Sequence, residues 1–165
     1  MISNVKWVFV VLVISSIISL SFDRERVPAD RLMTGDNAPE LLISGEEHSL
    51  SLCDTAGRYT LLSLWASYDA ASRARNAAFG HIVEDDDRVK MVSVSFDRYA
   101  SVARASVRQD NLPEENCHVE TAGEESDAFR AYHLEKGFKT CLLDKDGRII
   151  ALNIQPDQLA TYLNQ

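Results

Sequence analysis

The side chains with most scope for chemistry are Asp69 and Ser72, three residues apart at the head of an alanine-rich segment, and the thiols of Cys53, Cys117 and Cys141. The thiols show neither the C-x-x-C spacing of a dithiol redox centre nor the paired spacing of a zinc site. A serine nucleophile needs a base within hydrogen-bond reach. The nearest histidine downstream of Ser72 is His81, nine residues on, which is about 13 Å along a helix axis at the standard rise. Asp69 occupies an N-cap position, where the helix dipole keeps an acidic carboxylate ionised. A carboxylate is no nucleophile for a disulfide. His48, His118 and His133 are scattered through surface-type sequence, and the chain predicts no metal site and no cofactor.

These residues need a strand and a helix to position them. Leu61-Leu62-Ser63-Leu64-Trp65 reads as a buried strand, and Asp69 opens a helix that runs to about Val83 and closes at Glu84-Asp85-Asp86-Asp87. The junction between a strand's carboxyl end and a helix's amino end is where open α/β folds place their ligands. Before it, Leu41–Ile43 and Ser49–Cys53 read as a hairpin about Gly45-Glu46-Glu47, with a turn over Asp54–Gly57. After it, Lys90–Phe96 alternates as a second strand, and Asp97 is expected to cap a helix carrying Val102 and Ala105 that ends at Leu112-Pro113.

Cys117-His118-Val119 is a short edge strand. Glu124 to Leu134 is expected to be one helix, with Phe129 and Tyr132 as core contacts and Gly137 as its stop. Thr140–Leu143 and Arg148–Leu152 form a hairpin about Asp144-Lys145-Asp146-Gly147, and Pro156 opens a last helix through Leu163. No internal repeat is present. Alternating βα units followed by a late hairpin imply an α/β fold with a mixed sheet.

With 165 residues, 45% of them hydrophobic, the chain has room for one domain with a real core. Its formal charge of -8 argues against nucleic acid as a partner. The run from Trp7 to Leu20 follows the single positive charge of Lys6 and runs into Ser19-Leu20-Ser21, a tolerable cleavage site before Phe22. Residues 1–22 are therefore expected to be a signal peptide, with an uncleaved anchor as the rival, and a membrane is met only in the second case. Residues 23–34 are charged, include Pro28 and read as a linker to a domain over 35–165. Export to the periplasm or cell envelope follows as the expectation.

Three local patterns carry a resemblance. Gly35-Asp36-Asn37-Ala38-Pro39, Leu64-Trp65-Ala66-Ser67-Tyr68 and Leu142-Leu143-Asp144-Lys145-Asp146-Gly147-Arg148-Ile149 resemble the G-x-x-A-P opening, the F-W-A-S-W approach and the L-I-D-x-x-G-x-I hairpin of the thioredoxin superfamily, in its exported TlpA/ResA-like thiol-disulfide oxidoreductase branch. The resemblance implies a three-layer α/β/α fold with a mixed central sheet and an N-terminal β-hairpin. It also exposes two departures. The positions of the family's C-x-x-C hold Asp69-Ala70-Ala71-Ser72, and its cis-proline position falls at Phe138 or Lys139. A non-proline cis bond costs about 3 kcal/mol, so a trans peptide is expected there.

What the resemblance implies is an exported module that has lost its dithiol centre and holds a protein or peptide in the former groove. That groove would comprise Trp65, Tyr68, Asp69, Ser72, Phe138, Lys139 and Thr140. Lys139 would face Asp69 and replace the redox pair by an ion pair. Trp65 and Tyr68 each have two readings, packing at the strand end or the aromatic floor of the groove. Two other functions stay open: an oxidoreductase or peroxidase working through Cys53, Cys117 or Cys141, and a structural domain with no groove ligand. Cys141 lies inside an apolar strand and is expected to be buried. A disulfide between Cys53 and Cys117 is neither favoured nor excluded by spacing.

Overall fold

Strand β1, Tyr59–Trp65, is buried from Thr60 onward and forms the centre of the sheet. The computed structural model describes residues 32–44, 50–53 and 57–164. The segment read as a signal peptide or anchor, most of the 23–34 linker, the Gly45-Glu46-Glu47 turn, His48 and the start of the Asp54–Gly57 turn lie outside the described residues. Helix α1 spans Ala70–Val83, β2 Val89–Ser95, α2 Ala100–Gln109 and β3 Cys117–Val119. Then come a short α3, Asp127–Ala131, the hairpin strands β4, Thr140–Leu143, and β5, Ile149–Leu152, and α4, Leu159–Leu163. The strand order is β3-β2-β1-β4-β5, with β1, β2 and β3 parallel, β4 antiparallel to β1, and β5 antiparallel to β4.

Alternation sends the side chains of β1 to two faces. Leu62 and Leu64 meet Val92, Val94, Phe96, Cys141 and Leu143 on one face, covered by Phe129, Tyr132, Leu41, Ile43 and Leu52. Leu61 meets Met91 and Leu142 on the other, covered by Phe79 of α1 and by Leu159 and Leu163 of α4. The result is the three-layer α/β/α arrangement with a mixed sheet. Its parallel strands β1 and β2 end side by side at Trp65 and Ser95, which brings the two loops that follow them together.

Three local expectations are corrected. Among the described residues, the pairing expected between Leu41–Ile43 and Ser49–Cys53 is one antiparallel bridge, Leu41 to Leu50, rather than a ladder of two strands. Leu41, Ile43 and Leu52 serve the core as single buried side chains instead. The helix expected over Glu124–Leu134 is split into 3-10 turns over Gly123–Glu125 and Leu134–Lys136 with α3 between them. Ser126 causes the first break, since its hydroxyl accepts from Phe129 N at 3.1 Å and starts a new helix. His133, in the left-handed conformation at φ 51, makes the second. The third concerns Asp97: α2 starts after Tyr99 without a side-chain cap, and Asp97 works elsewhere.

The α1 face of the sheet depends on Phe79, which is fully buried among Leu61, Met91 and Leu142. Phe79→Ala is expected to lower the unfolding free energy by about 3–5 kcal/mol in urea titration. A loss below about 1 kcal/mol would mean that α1 does not pack as described.

Candidate functional site

The site is built at the junction of β1 and α1. Asp69 has extended backbone angles, and its Oδ1 accepts from Ser72 N at 2.7 Å. That bond, ahead of the Ser72 hydroxyl, holds the Asp69 carboxyl below its ordinary range. Ser72 Oγ lies 3.2 Å from Asp69 O and accepts from Ala66 N at 3.4 Å. Tied to the backbone at Ala66 and Asp69 and only 2% exposed, Ser72 is a strut for the turn.

Asp97 anchors the loop between β1 and α1 from the end of β2. Buried at 4% exposure, it accepts from Ser67 N at 3.0 Å, from Ser67 Oγ and from Ser95 Oγ. Such charge-assisted bonds stabilise a carboxylate away from water. The sequence carries a signal for this in Ser95, a hydroxyl at the end of a mostly apolar strand two residues before Asp97. Fixing Ser67 turns the next side chain outward. Tyr68 is 64% exposed, and its ring meets Phe138 edge-on at 6.1 Å. Phe138 in turn contacts Phe96 at 6.1 Å and Phe129 at 6.4 Å. Beside Tyr68 opens a cleft of about 370 Å³ lined by Phe96, Arg98, Gly123, Glu124 and Glu125. The tyrosine hydroxyl is pushed up by desolvation and then by Glu124, Asp97 and Asp69.

The loop before β4 meets the junction through Phe138. Arg75 of α1 donates from Nη2 to Phe138 O at 3.0 Å, and Leu64 N donates to Lys139 O at 2.9 Å. The peptide bonds here are trans, as expected. The ion pair expected between Lys139 and Asp69 is corrected: Lys139 Nζ donates to Tyr132 O at 2.6 Å and His133 O at 2.8 Å. These carbonyls follow α3, where a helix end attracts a cation. Desolvation lowers the Lys139 ammonium's pKa.

Of the seven residues expected in the groove, Tyr68, Asp69 and Phe138 stand at the junction's surface, and Lys139 turns its ammonium away. Trp65, Ser72 and Thr140 are corrected to buried positions, exposed by 1%, 2% and 0%. Trp65 packs on Val107 and Leu112 and donates from Nε1 to Ser93 Oγ at 2.8 Å. Thr140 is paired with Ser63 inside the sheet. A larger cavity of about 390 Å³ lies at the other end of the parallel strands, between Val83, Lys90 and Cys117. It shares no residue with the Tyr68 cleft.

All three cysteines are free thiols. Cys141 is buried as expected, and its pKa is pushed up to about 12 by burial. Burial also raises Cys117. Both stay protonated near neutrality and are poor nucleophiles. Cys53 is exposed, and its Sγ donates to Asp146 O at 3.3 Å beside the β4–β5 turn. Among the described residues no group of three or more His, Cys, Asp or Glu could hold a metal ion, and no helix is long and apolar enough to cross a membrane.

No protein-family model and no curated protein matches the chain. Solved structures do. A thioredoxin-like protein from Parabacteroides distasonis is 38% identical over 81% of this chain and 96% of that chain, with a TM-score of 0.72. The chain therefore belongs to the thioredoxin-like family. The thioredoxin domain of a thiol-disulfide oxidoreductase from Bacteroides vulgatus is 21% identical over 81% of this chain and 97% of that one, with a TM-score of 0.64. A thiol:disulfide interchange protein from Bacteroides sp. is also 21% identical, over 81% and 92%, with a TM-score of 0.66. The fold is that of thioredoxin-like thiol-disulfide oxidoreductases.

Removing Asp97 would strand the Ser67 N–H and the Ser95 hydroxyl. Asp97→Ala is expected to cost about 1–3 kcal/mol by urea unfolding, with Asp97→Asn milder. Asp69→Ala is expected to cost about 1 kcal/mol at pH 7. Because the folded-state pKa of Asp69 is depressed, its share of that difference is complete above the unfolded carboxylate's pKa and is lost as pH falls through the folded value. A deficit that grew on acidification would contradict the cap.

Proposed function

We propose that this chain is a thioredoxin-like binding module that lacks a dithiol centre and uses the surface around Tyr68 to hold a protein or peptide. The observation that carries the proposal is the state of the α1 amino terminus. In thiol oxidoreductases such a position lowers the pKa of an attacking thiol. Here Asp69 fills it, with its carboxylate bonded to Ser72 N, and the segment from Ala66 to Ser72 contains no cysteine. Support for binding comes from the exposure of Tyr68 next to a cleft of about 370 Å³, since aromatic residues at a cleft are common anchors of recognition. Export to the periplasm or cell envelope belongs to the same proposal and rests on the apolar run from Trp7 to Leu20.

Insulin reduction with dithiothreitol is the test of the chemical half. The wild-type chain is expected to give no acceleration over dithiothreitol alone. Acceleration that disappears in Cys53→Ser would instead favour an enzyme working through the one exposed thiol. For the binding half, peptides selected on the immobilised full chain are expected to weaken at least tenfold against Tyr68→Ala. Unchanged binding would place recognition elsewhere.

A further inference from the structure

The Tyr68 cleft does not end at Glu125. A second cleft, of about 270 Å³, is lined by Leu42, Ser44, Ala122, Glu125 and Arg130. Ala122 and Glu125 line both clefts, so the two meet across the Ala122–Glu125 turn and form one track. Each end offers an exposed apolar or aromatic side chain, Tyr68 at 64% and Leu42 at 53%. The turn between them is held in place from below. Glu120, buried at 1%, accepts from Ser44 N at 2.9 Å and Ala122 N at 2.8 Å, which ties one wall of the track to its floor.

The charges along this track are unbalanced. Glu124 and Glu125 are exposed, and neither carboxylate is paired with a cation among the described residues. Asp69 stands one residue from Tyr68. Arg130 is already engaged, donating to Glu125 O at 2.7 Å and to Asp127 Oδ1 at 2.6 Å, and Arg75 is engaged with Phe138 O. Among the described residues, Arg98 is the one cation lining the Tyr68 cleft, outnumbered there by the two carboxylates of Glu124 and Glu125. The direction of the field at Tyr68 agrees, for Glu124, Asp97 and Asp69 all oppose ionisation of its hydroxyl. An exposed aromatic face in a negative field attracts a cation both through the ring's quadrupole and through the carboxylates.

We propose that the track from Leu42 to Tyr68 receives an extended, basic polypeptide segment. Its lysine or arginine lies over the Tyr68 ring within reach of Glu124, and an apolar residue rests at Leu42. This rests on the groove function proposed above and adds the partner's chemistry to it. Length suits the assignment, since the two clefts together exceed one side chain and an extended chain advances about 3.3 Å per residue.

The test uses fluorescence anisotropy of the full chain with three labelled nonapeptides identical except at alternate positions, which are arginine, glutamine or glutamate, with leucine between. At low ionic strength the arginine peptide is expected to bind most tightly and the glutamate peptide most weakly, with the preference falling as salt rises. Glu124→Gln is expected to weaken the arginine peptide roughly two- to fivefold and leave the glutamine peptide unchanged. Glu84→Gln, which changes net charge equally at the far end of α1, is expected to change neither. If the glutamine or glutamate peptide binds as tightly as the arginine peptide and remains sensitive to Tyr68→Ala, the groove stands and the basic partner is wrong. If Glu84→Gln weakens binding as much as Glu124→Gln, the attraction is general charge and the assignment to this track fails. If no peptide responds to Tyr68→Ala, the groove itself is wrong and this inference falls with it.

Discussion

The first N–H groups of helix α1 have no partner within their own helix, and what answers them governs this end of the molecule. Asp69 answers with a carboxylate oxygen 2.7 Å from Ser72 N. That bond fixes the turn out of β1 and draws Ser72 inward as a strut. It also places a carboxylate where a thiolate would gain most from the helix dipole. The turn is then closed from the neighbouring strand by Asp97, whose bonds to Ser67 and Ser95 tie the two loops at the ends of β1 and β2. Tyr68 projects because the residues on either side of it are held. The exposed aromatic surface is thus a consequence of two satisfied carboxylates.

Much of this architecture is legible in the residues. The β1 strand, the Asp69 cap, the end of α1 near Val83 and the Asp144–Gly147 turn all rest on local signals: an apolar run, a capping side chain, an acidic stop and an Asp-Gly pair. Local signals were also where expectations went astray. Asp97 precedes a helix and has the chemistry of a cap, but its partners lie 30 positions away at Ser67 and two away at Ser95. No periodicity encodes the first of these contacts. Lys139 and Asp69 have opposite charges, yet the Lys139 ammonium is taken by the carbonyls of Tyr132 and His133, seven and six residues back along the chain. The split of the expected 124–134 helix follows from Ser126 and His133, whose local backbone choices outweigh the spacing of Phe129 and Tyr132.

Trp65 and Tyr68 are three residues apart and both aromatic, and only the structure distinguishes their duties. Trp65 ends a strand between two packed layers and satisfies its indole N–H on Ser93, while Tyr68 lies beyond the carboxyl end of β1. Thr140 and Ser72 are polar by composition and buried by position. The cysteines divide likewise: two are held protonated by burial, and the exposed one lies beside the β4–β5 turn. None occupies the junction where the fold favours a thiolate.

If, as proposed, residue identity at the head of α1 is what withholds dithiol chemistry from this scaffold, two thiols placed there restore it. The most direct measurement is insulin reduction by the double variant Asp69→Cys/Ser72→Cys alongside the wild-type chain. The account predicts no turnover by the wild type and measurable turnover by the variant, with the new thiol at position 69 titrating below the ordinary cysteine value of about 8.5. A wild-type chain that already reduces insulin at the variant's rate would contradict it.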